Sequence, residues 1–440
     1  MKIFITGLTS SSLGGMEYHN LGNYVIMEPF IEELHREFPQ ASIATSIQMS
    51  DEFCQRFNII SLRNKRFWSY GYHTAQKTAL DIIRVFFWKI LKIMGLEFKS
   101  VLQSSALLSE LDKTDLVIDF SGDIYGDNAA FPKFLEGNAR LLFAMFLNKP
   151  TVMLIGSPGP FRKIWRLILA KMIMKRLDLI TTREPVSAEF LEYIGIKGDN
   201  VVSTACPSVL FKRDESKKAH EILEYEKIIP KHKPTAGLII CGWNMRKGPY
   251  NKWPREDEEY EPFIKLIDHL INNLGLRVCL MSHQNGTDKD FNLIRGNDHR
   301  IIDQLINIIC DKYGEDKFFT LKGLYGASMS KTIIGQFDML ISGRIHGAVQ
   351  GLTQAIPTAI IDYGHKPRAH KLKGFASLYD VEEYVCNPTD ASNMIMIADK
   401  LWTERKSVSQ RLSMRIPQVA DLARKNFTLT RMIYEKKHRE

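Results

Sequence analysis

Short apolar runs alternate with amphipathic stretches along almost the whole chain, and this rhythm constrains the fold more than any other feature. Each run is rich in Val, Ile, Leu or Phe, as strands covered on both faces require. Strands that alternate with helical stretches wind into βα units and mostly parallel sheets. The runs predict strands near 2–6, 41–47, 115–120, 150–155, 178–182 and 200–204 in the first half. In the second half they predict strands near 235–241, 276–281, 317–320, 338–342 and 357–361.

A chain of 440 residues is long for one domain and suits two. The seam is expected near 207–233, where Pro207 is followed by the charged KRDESKKAH and then IPKHKP. This gives a Rossmann-like domain over 1–215 and a second over 216–407. The helical, basic tail from about 408 to 440 is expected, by analogy with two-domain folds of this kind, to pack back on the first. The polar stretch Met245 to Glu261 reads as a loop of the second domain.

A formal net charge of +9 favours anionic partners. No RNA-recognition or zinc-finger pattern accompanies it, so nucleic acid is not expected. The six cysteines are widely spaced and form no C-x-x-C pair, which reads as free thiols in a reducing compartment. The apolar run before Gly7 is too short for a signal peptide. No stretch is long and apolar enough for a membrane span. A cytosolic chain is therefore expected.

Residues 80–99, LDIIRVFFWKILKIMGLEFK, are a special case. Arg84, Lys89, Lys92 and Lys99 fall within about 140° of arc at helical spacing, and nearly everything else is apolar. Two readings stand: a core helix with a basic outer edge, or a helix lying on an anionic membrane surface. A lipid-linked substrate would explain the second, with the chain peripheral at the inner face of the membrane.

The strongest chemical signal is DMLISGRIHGAVQGLTQAIPTAIIDYGHK, residues 338–366. A strand ends at Ser342–Gly343, and a helix opens with Arg344 and His346 in its first turn. The next strand runs to Asp362, Tyr363, Gly364, His365 and Lys366. Ligands bind at the carboxyl ends of strands in α/β sheets, and a helix start attracts anions. Arg344 offers a bidentate fork for carboxylate or phosphate, and His346 a proton donor or acceptor near neutral pH. Lys366 reads as pointing into the same crevice or as a solvated lysine. In LDLITTREPVSAEFLEYIGI (177–196), Arg183 sits at a strand tip, placed for a cleft or for an ion pair with Glu184 or Glu189.

Glycine-bearing turns follow other strands: HNLGN (19–23), LVIDFSGDIYGD (116–127) and TVMLIGSPGPF (151–161). They mark Asn20, Gly22, Asp123, Gly156 and Ser157 as candidate ligand contacts, since glycine permits close backbone approach. None matches the P-loop or dinucleotide glycine pattern, and no Cys/His set has metal spacing. No cofactor and no metal are expected.

Taken in order, these segments resemble the polysaccharide pyruvyl transferase family. The R-x-H helix start, the proline-led strand after it and the Y-x-x-K at its end are the most specific part. The resemblance implies two Rossmann-like α/β domains facing a cleft, like the GT-B glycosyltransferases. It implies phosphoenolpyruvate as co-substrate, a saccharide acceptor and a cyclic pyruvate ketal as product in extracellular, capsular or cell-wall glycan synthesis. On it, His346 and Arg344 are catalytic, and Arg183, Lys366, Ser342 and Gly343 bind the donor. The chain departs from the family's pattern at Cys206, Asn23 and Asp123, mainly on the side of the acceptor. A competing reading is a GT-B glycosyltransferase that uses a nucleotide sugar; another is a basic protein that only binds membranes or polyanions.

Overall fold

The computed structural model describes residues 1–440 except 8–20, 48, 63–71, 97, 121–124, 128, 230–232, 248–253, 289–291, 310, 364–369 and 440. The chain forms two compact units, each built on a parallel sheet.

Unit 1 comprises Met1–Gly14, Ile31–Cys206 and Arg424–Glu440. Its seven strands are β1 (Lys2–Gly7), β2 (Ser42–Thr45), β3 (Ile59–Ser61), β4 (Leu116–Phe120), β5 (Thr151–Gly156), β6 (Leu179–Thr182) and β7 (Val201–Ser203). They lie in the order β3-β2-β1-β4-β5-β6-β7, all parallel. β4 and β5 are buried along their whole length and β1 from Ile3 onward, hence their largely apolar sequences.

Unit 2 comprises Gly15–Phe30 and Pro207–Ala423. It holds β8 (Thr235–Ile239), β9 (Arg277–Leu280), a small antiparallel pair β10 (Gly286–Thr287) and β11 (Leu293–Ile294), then β12 (Phe318–Thr320), β13 (Met339–Ser342), β14 (Thr358–Ile361) and β15 (Val385–Cys386). The main sheet runs β12-β9-β8-β13-β14-β15, again parallel throughout.

Every expected strand is present. The additional ones, β3, β15 and the β10–β11 pair, are two or three residues long. Such short strands carry too few apolar residues to form a recognisable run.

The contact break falls between Cys206 and Pro207. Residues 207–215, expected on the first domain, go with unit 2 because Phe211 packs there. Phe211 shares a buried cluster with Leu21, Val25 and Ala327, and its carbonyl accepts from Lys331 Nζ at 2.5 Å. The last helix, Ala391–Lys437, contributes its end to unit 1. There the buried Asn426 accepts from Thr204 Oγ1 at 2.8 Å and donates to the Ala205 carbonyl at 2.9 Å.

Candidate functional site

In unit 2 the chain crosses from β8 in one direction to β9 and β12, and in the other to β13, β14 and β15. The gap between β8 and β13 is therefore the topological switch point, the place where open α/β sheets bind ligands at the carboxyl ends of their strands. The loops leaving β8, β9 and β13 all end there, and they carry Asn244, His283, Gln284 and the Ser342–His346 segment.

β13 ends at Ser342, whose hydroxyl is committed to the turn. Its Oγ donates to the Arg344 carbonyl at 2.8 Å and accepts from the Arg344 N–H at 3.2 Å. Gly343 donates its N–H to the Ile239 carbonyl at 2.7 Å. A Cβ on Gly343 would lie 1.9 Å from Asn244 Oδ1, so only glycine fits. The Asn244 side chain in turn accepts from the Cys241 N–H at 2.9 Å and donates to the Asp362 carbonyl at 3.2 Å. These bonds tie the ends of β8, β13 and β14 together. Ser342 and Gly343, expected to touch the donor, here shape the helix start.

Arg344 is the N-cap of the helix Ile345–Leu352 rather than part of its first turn. Its guanidinium is not an open fork. Nε donates to Asp298 Oδ2 at 3.1 Å, and Nη2 donates to Asp298 Oδ1 and Gln284 Oε1, each at 2.5 Å. Asp298 is buried and also accepts from the His283 N–H at 3.3 Å. A guanidinium taken out of water needs a counter-charge, and Asp298 supplies it. Burial works against the Arg344 charge, but Asp298 outweighs it, so the group stays protonated. Among the described residues Nη1 has no partner, which leaves one edge of the cation for a ligand.

His283 is a neutral imidazole in this site. Burial, and after it the Arg344 charge, pushes its pKa down to about 3. Cys241 is a buried thiol pushed up to about 11, by burial first, with Arg344 opposing. Neither Asp298 nor His283 stands out in the sequence. The one available signal for Asp298 is an acidic residue in the first turn of an amphipathic helix, Asn297–Ile309.

His346 lies in the first turn of the helix Ile345–Leu352, with its ring edge-on to Phe375 at 6.5 Å between centroids. That helix sits hard on the sheet through its glycines. A Cβ on Gly347 would come within 2.9 Å of Ile239 Cδ1 and Ser342 Oγ, and one on Gly351 within 2.6 Å of Thr358 Oγ1. Lys366, with its neighbour His365, lies outside the described residues, as do Asn20 and Asp123.

In unit 1 a second cluster forms at the ends of β5 and β6. The β5–β6 register shifts between Met153 and Gly156, and Ile155 takes φ 52°. A β-branched residue in that region costs about 1–3 kcal/mol. The kink delivers Ser157 to Arg183, whose Nε donates to Ser157 Oγ at 2.5 Å. Glu184 instead caps its own helix, accepting from the Ser187 N–H at 2.9 Å, and it also accepts from Ser157 Oγ at 3.4 Å. Arg183, Gly156 and Ser157 are thus neighbours. Gly22 is in the first turn of the helix Leu21–Glu37, in the part grouped with unit 2.

Two α/β units, each built on a parallel sheet, place the chain in the GT-B fold class. Solved structures agree on the fold. A glycosyltransferase from Rickettsia africae superposes with a TM-score of 0.59 at 10% identity, covering 98% of each chain. The UDP-GlcNAc 2-epimerase of Neisseria meningitidis, bound to UDP-GlcNAc, gives 0.56 at 10% identity, covering 98% of this chain and 99% of that one. The chain belongs to the polysaccharide pyruvyl transferase family, whose profile matches residues 20–365. A curated relative, the amylovoran biosynthesis protein AmsJ of Erwinia amylovora, is 25% identical over 263 residues, 58% of this chain. The match spans 59% of that relative's length.

Proposed function

We propose that this chain transfers the enolpyruvyl-derived group of phosphoenolpyruvate to a saccharide, forming a pyruvate ketal during glycan synthesis. The observation that carries this reading is the Arg344–His346 helix start at the β8/β13 switch point, in a chain of this family.

One proton adds to C3 of the enol phosphate, and an acceptor hydroxyl oxygen bonds to C2. The bond from C2 to the phosphate oxygen breaks, and the second hydroxyl closes the ring. Of the two hydroxyl protons, one is balanced by the new methyl hydrogen and the other leaves as hydrogen phosphate. His346 is the acid–base group, a role typically worth about 10²–10⁴-fold. The Nη1 edge of Arg344 meets the donor's anionic oxygens while Asp298 holds the other edge in register. Arg183 and Lys366 carry the further donor contacts that the family resemblance assigns. The acceptor contacts it assigns are Asn20, Gly22, Asp123, Gly156 and Ser157. The chemistry needs no cofactor and no metal.

The test is incubation with phosphoenolpyruvate and a glycan panel, following phosphate release and a product carrying one pyruvate ketal. His346→Ala should abolish turnover and leave the melting curve intact; retained turnover removes His346 from the mechanism. Thermal shift separates this reading from a nucleotide-sugar transferase. Phosphoenolpyruvate at a hundredfold excess over Kd should stabilise by about 2.7 kcal/mol, and UDP-sugars should not.

A further inference from the structure

The helix Tyr72–Ile93 in unit 1 is apolar on two opposite sides. One narrow stripe, Thr78, Asp81, Val85 and Trp88, is buried, and Val85 and Trp88 join a core cluster with Leu108, Ala139 and Phe143. The other side faces outward. It carries Ile83 (64% exposed), Phe86 (67%), Phe87, Ile90, Ile93 (77%) and Met94. At helical spacing these six occupy about 120° of arc, opposite the buried stripe. A helix that is apolar all round is ordinarily enclosed; here half of that surface meets water. The basic arc seen in the sequence is not an outer edge. Arg84 and Lys89 flank the packed stripe, and Lys92 folds over Trp88 at 5.1 Å.

A second stripe of the same character lies nearby. The helices Tyr72–Ile93 and Ile164–Met174 both pack on the helix Phe131–Phe146. Ile164–Met174 exposes Ile164, Trp165, Ile168 and Met172. Its flanks carry Arg162, Lys163, Lys171 and Lys175, and no acidic residue occurs between 161 and 177.

We infer that this face of unit 1 docks on an anionic lipid bilayer. Charge complementarity selects that occupant. Large apolar and aromatic side chains project outward, the outward arc contains no carboxylate, and Arg162, Lys163, Lys171 and Lys175 stand beside the exposed stripe of Ile164–Met174. A helix lying in the interface buries its apolar face among the acyl chains and leaves its cations at the level of the headgroups. Among the described residues no helix is long and apolar enough to cross a membrane. This inference does not depend on the proposed transfer reaction.

Vesicle co-sedimentation of the full chain tests it. Vesicles mixing phosphatidylglycerol with phosphatidylcholine should carry the protein down, and pure phosphatidylcholine should carry at least tenfold less. Raising salt from about 0.1 M to 1 M should weaken the binding, because screening shortens from about 10 Å to about 3 Å. Phe86→Glu with Phe87→Glu should lower binding at least tenfold and leave the circular-dichroism melt unchanged. If that variant fails to fold, Ile83→Glu with Ile93→Glu on the same arc replaces it. Wild-type protein that stays in the supernatant, equal binding to the two vesicle types, or a folded variant that binds like wild type would each overturn the inference. So would a lipid-free dimer that the variant dissociates, with no vesicle binding, since that outcome gives the face to a second copy of the chain.

Discussion

The side chain of Asn244 fills the space that a Cβ on residue 343 would need: its Oδ1 lies 1.9 Å, and its Cγ 2.5 Å, from that position. Asn244 is buried and cannot swing away without losing its bonds to Cys241 and Asp362. Gly343→Ala should therefore cost about 3 kcal/mol and displace the start of the helix Ile345–Leu352. In an Asn244→Ala background the same change should cost much less, because the space is already open. A double-mutant cycle by denaturant unfolding reads the difference, with a coupling above about 1 kcal/mol expected.

Asp298→Asn keeps the shape and removes the charge facing Arg344. The guanidinium is left buried beside a neutral amide. Breaking a buried pair from one side typically costs about 3–5 kcal/mol. Unit 2 should melt correspondingly earlier. If Asp298 also aims Arg344, phosphoenolpyruvate binding measured by calorimetry below that melting point should weaken as well.

The depressed pKa of His283 makes stability depend on pH. Its folded value of about 3 lies below the ordinary 6.5, so between the two the unfolded chain binds the extra proton. The stability is complete above pH 6.5 and declines as pH falls towards 3. The loss between pH 6.5 and 5 is about 2 kcal/mol, at about 1.4 kcal/mol per unit. His299, also depressed mainly by burial, adds to it in the same sense. Urea unfolding across that range should show the slope, and His283→Gln should flatten it.

Much of this was legible in the sequence. The central strands were, because a strand buried on both faces must be continuously apolar. The helix start at Arg344 was, because a strand, a glycine and a polar pair occur in one short segment. Asp298 was not, since it meets Arg344 only through the fold, across an intervening strand and helix. Asn244 was hidden in a polar loop for the same reason. The helix Tyr72–Ile93 was ambiguous for a different cause. Periodicity locates its basic arc, but with apolar residues on both remaining sides it cannot say which side packs inward.

Asn426 holds the end of the chain to unit 1. It accepts from Thr181 Oγ1 at 2.5 Å as well as from Thr204, all in the interior. Asn426→Ala leaves Thr181 and the Ala205 carbonyl short of a partner, at a cost of about 2–3 kcal/mol. Amide exchange in β6 and β7 should accelerate, and exchange in β8 and β13 should not.

The bare glycine face of the helix Ile345–Leu352 has a further bearing on how such a chain can diversify. With Gly347 and Gly351 pressed on Ile239, Ser342 and Thr358, no bulkier residue can enter there, and the helix has no slack in which to slide or tilt. The imidazole it carries is thus fixed like a tool in a vice. Under the proposed transfer, new acceptor preferences would arise in the loops around it while the imidazole keeps its place.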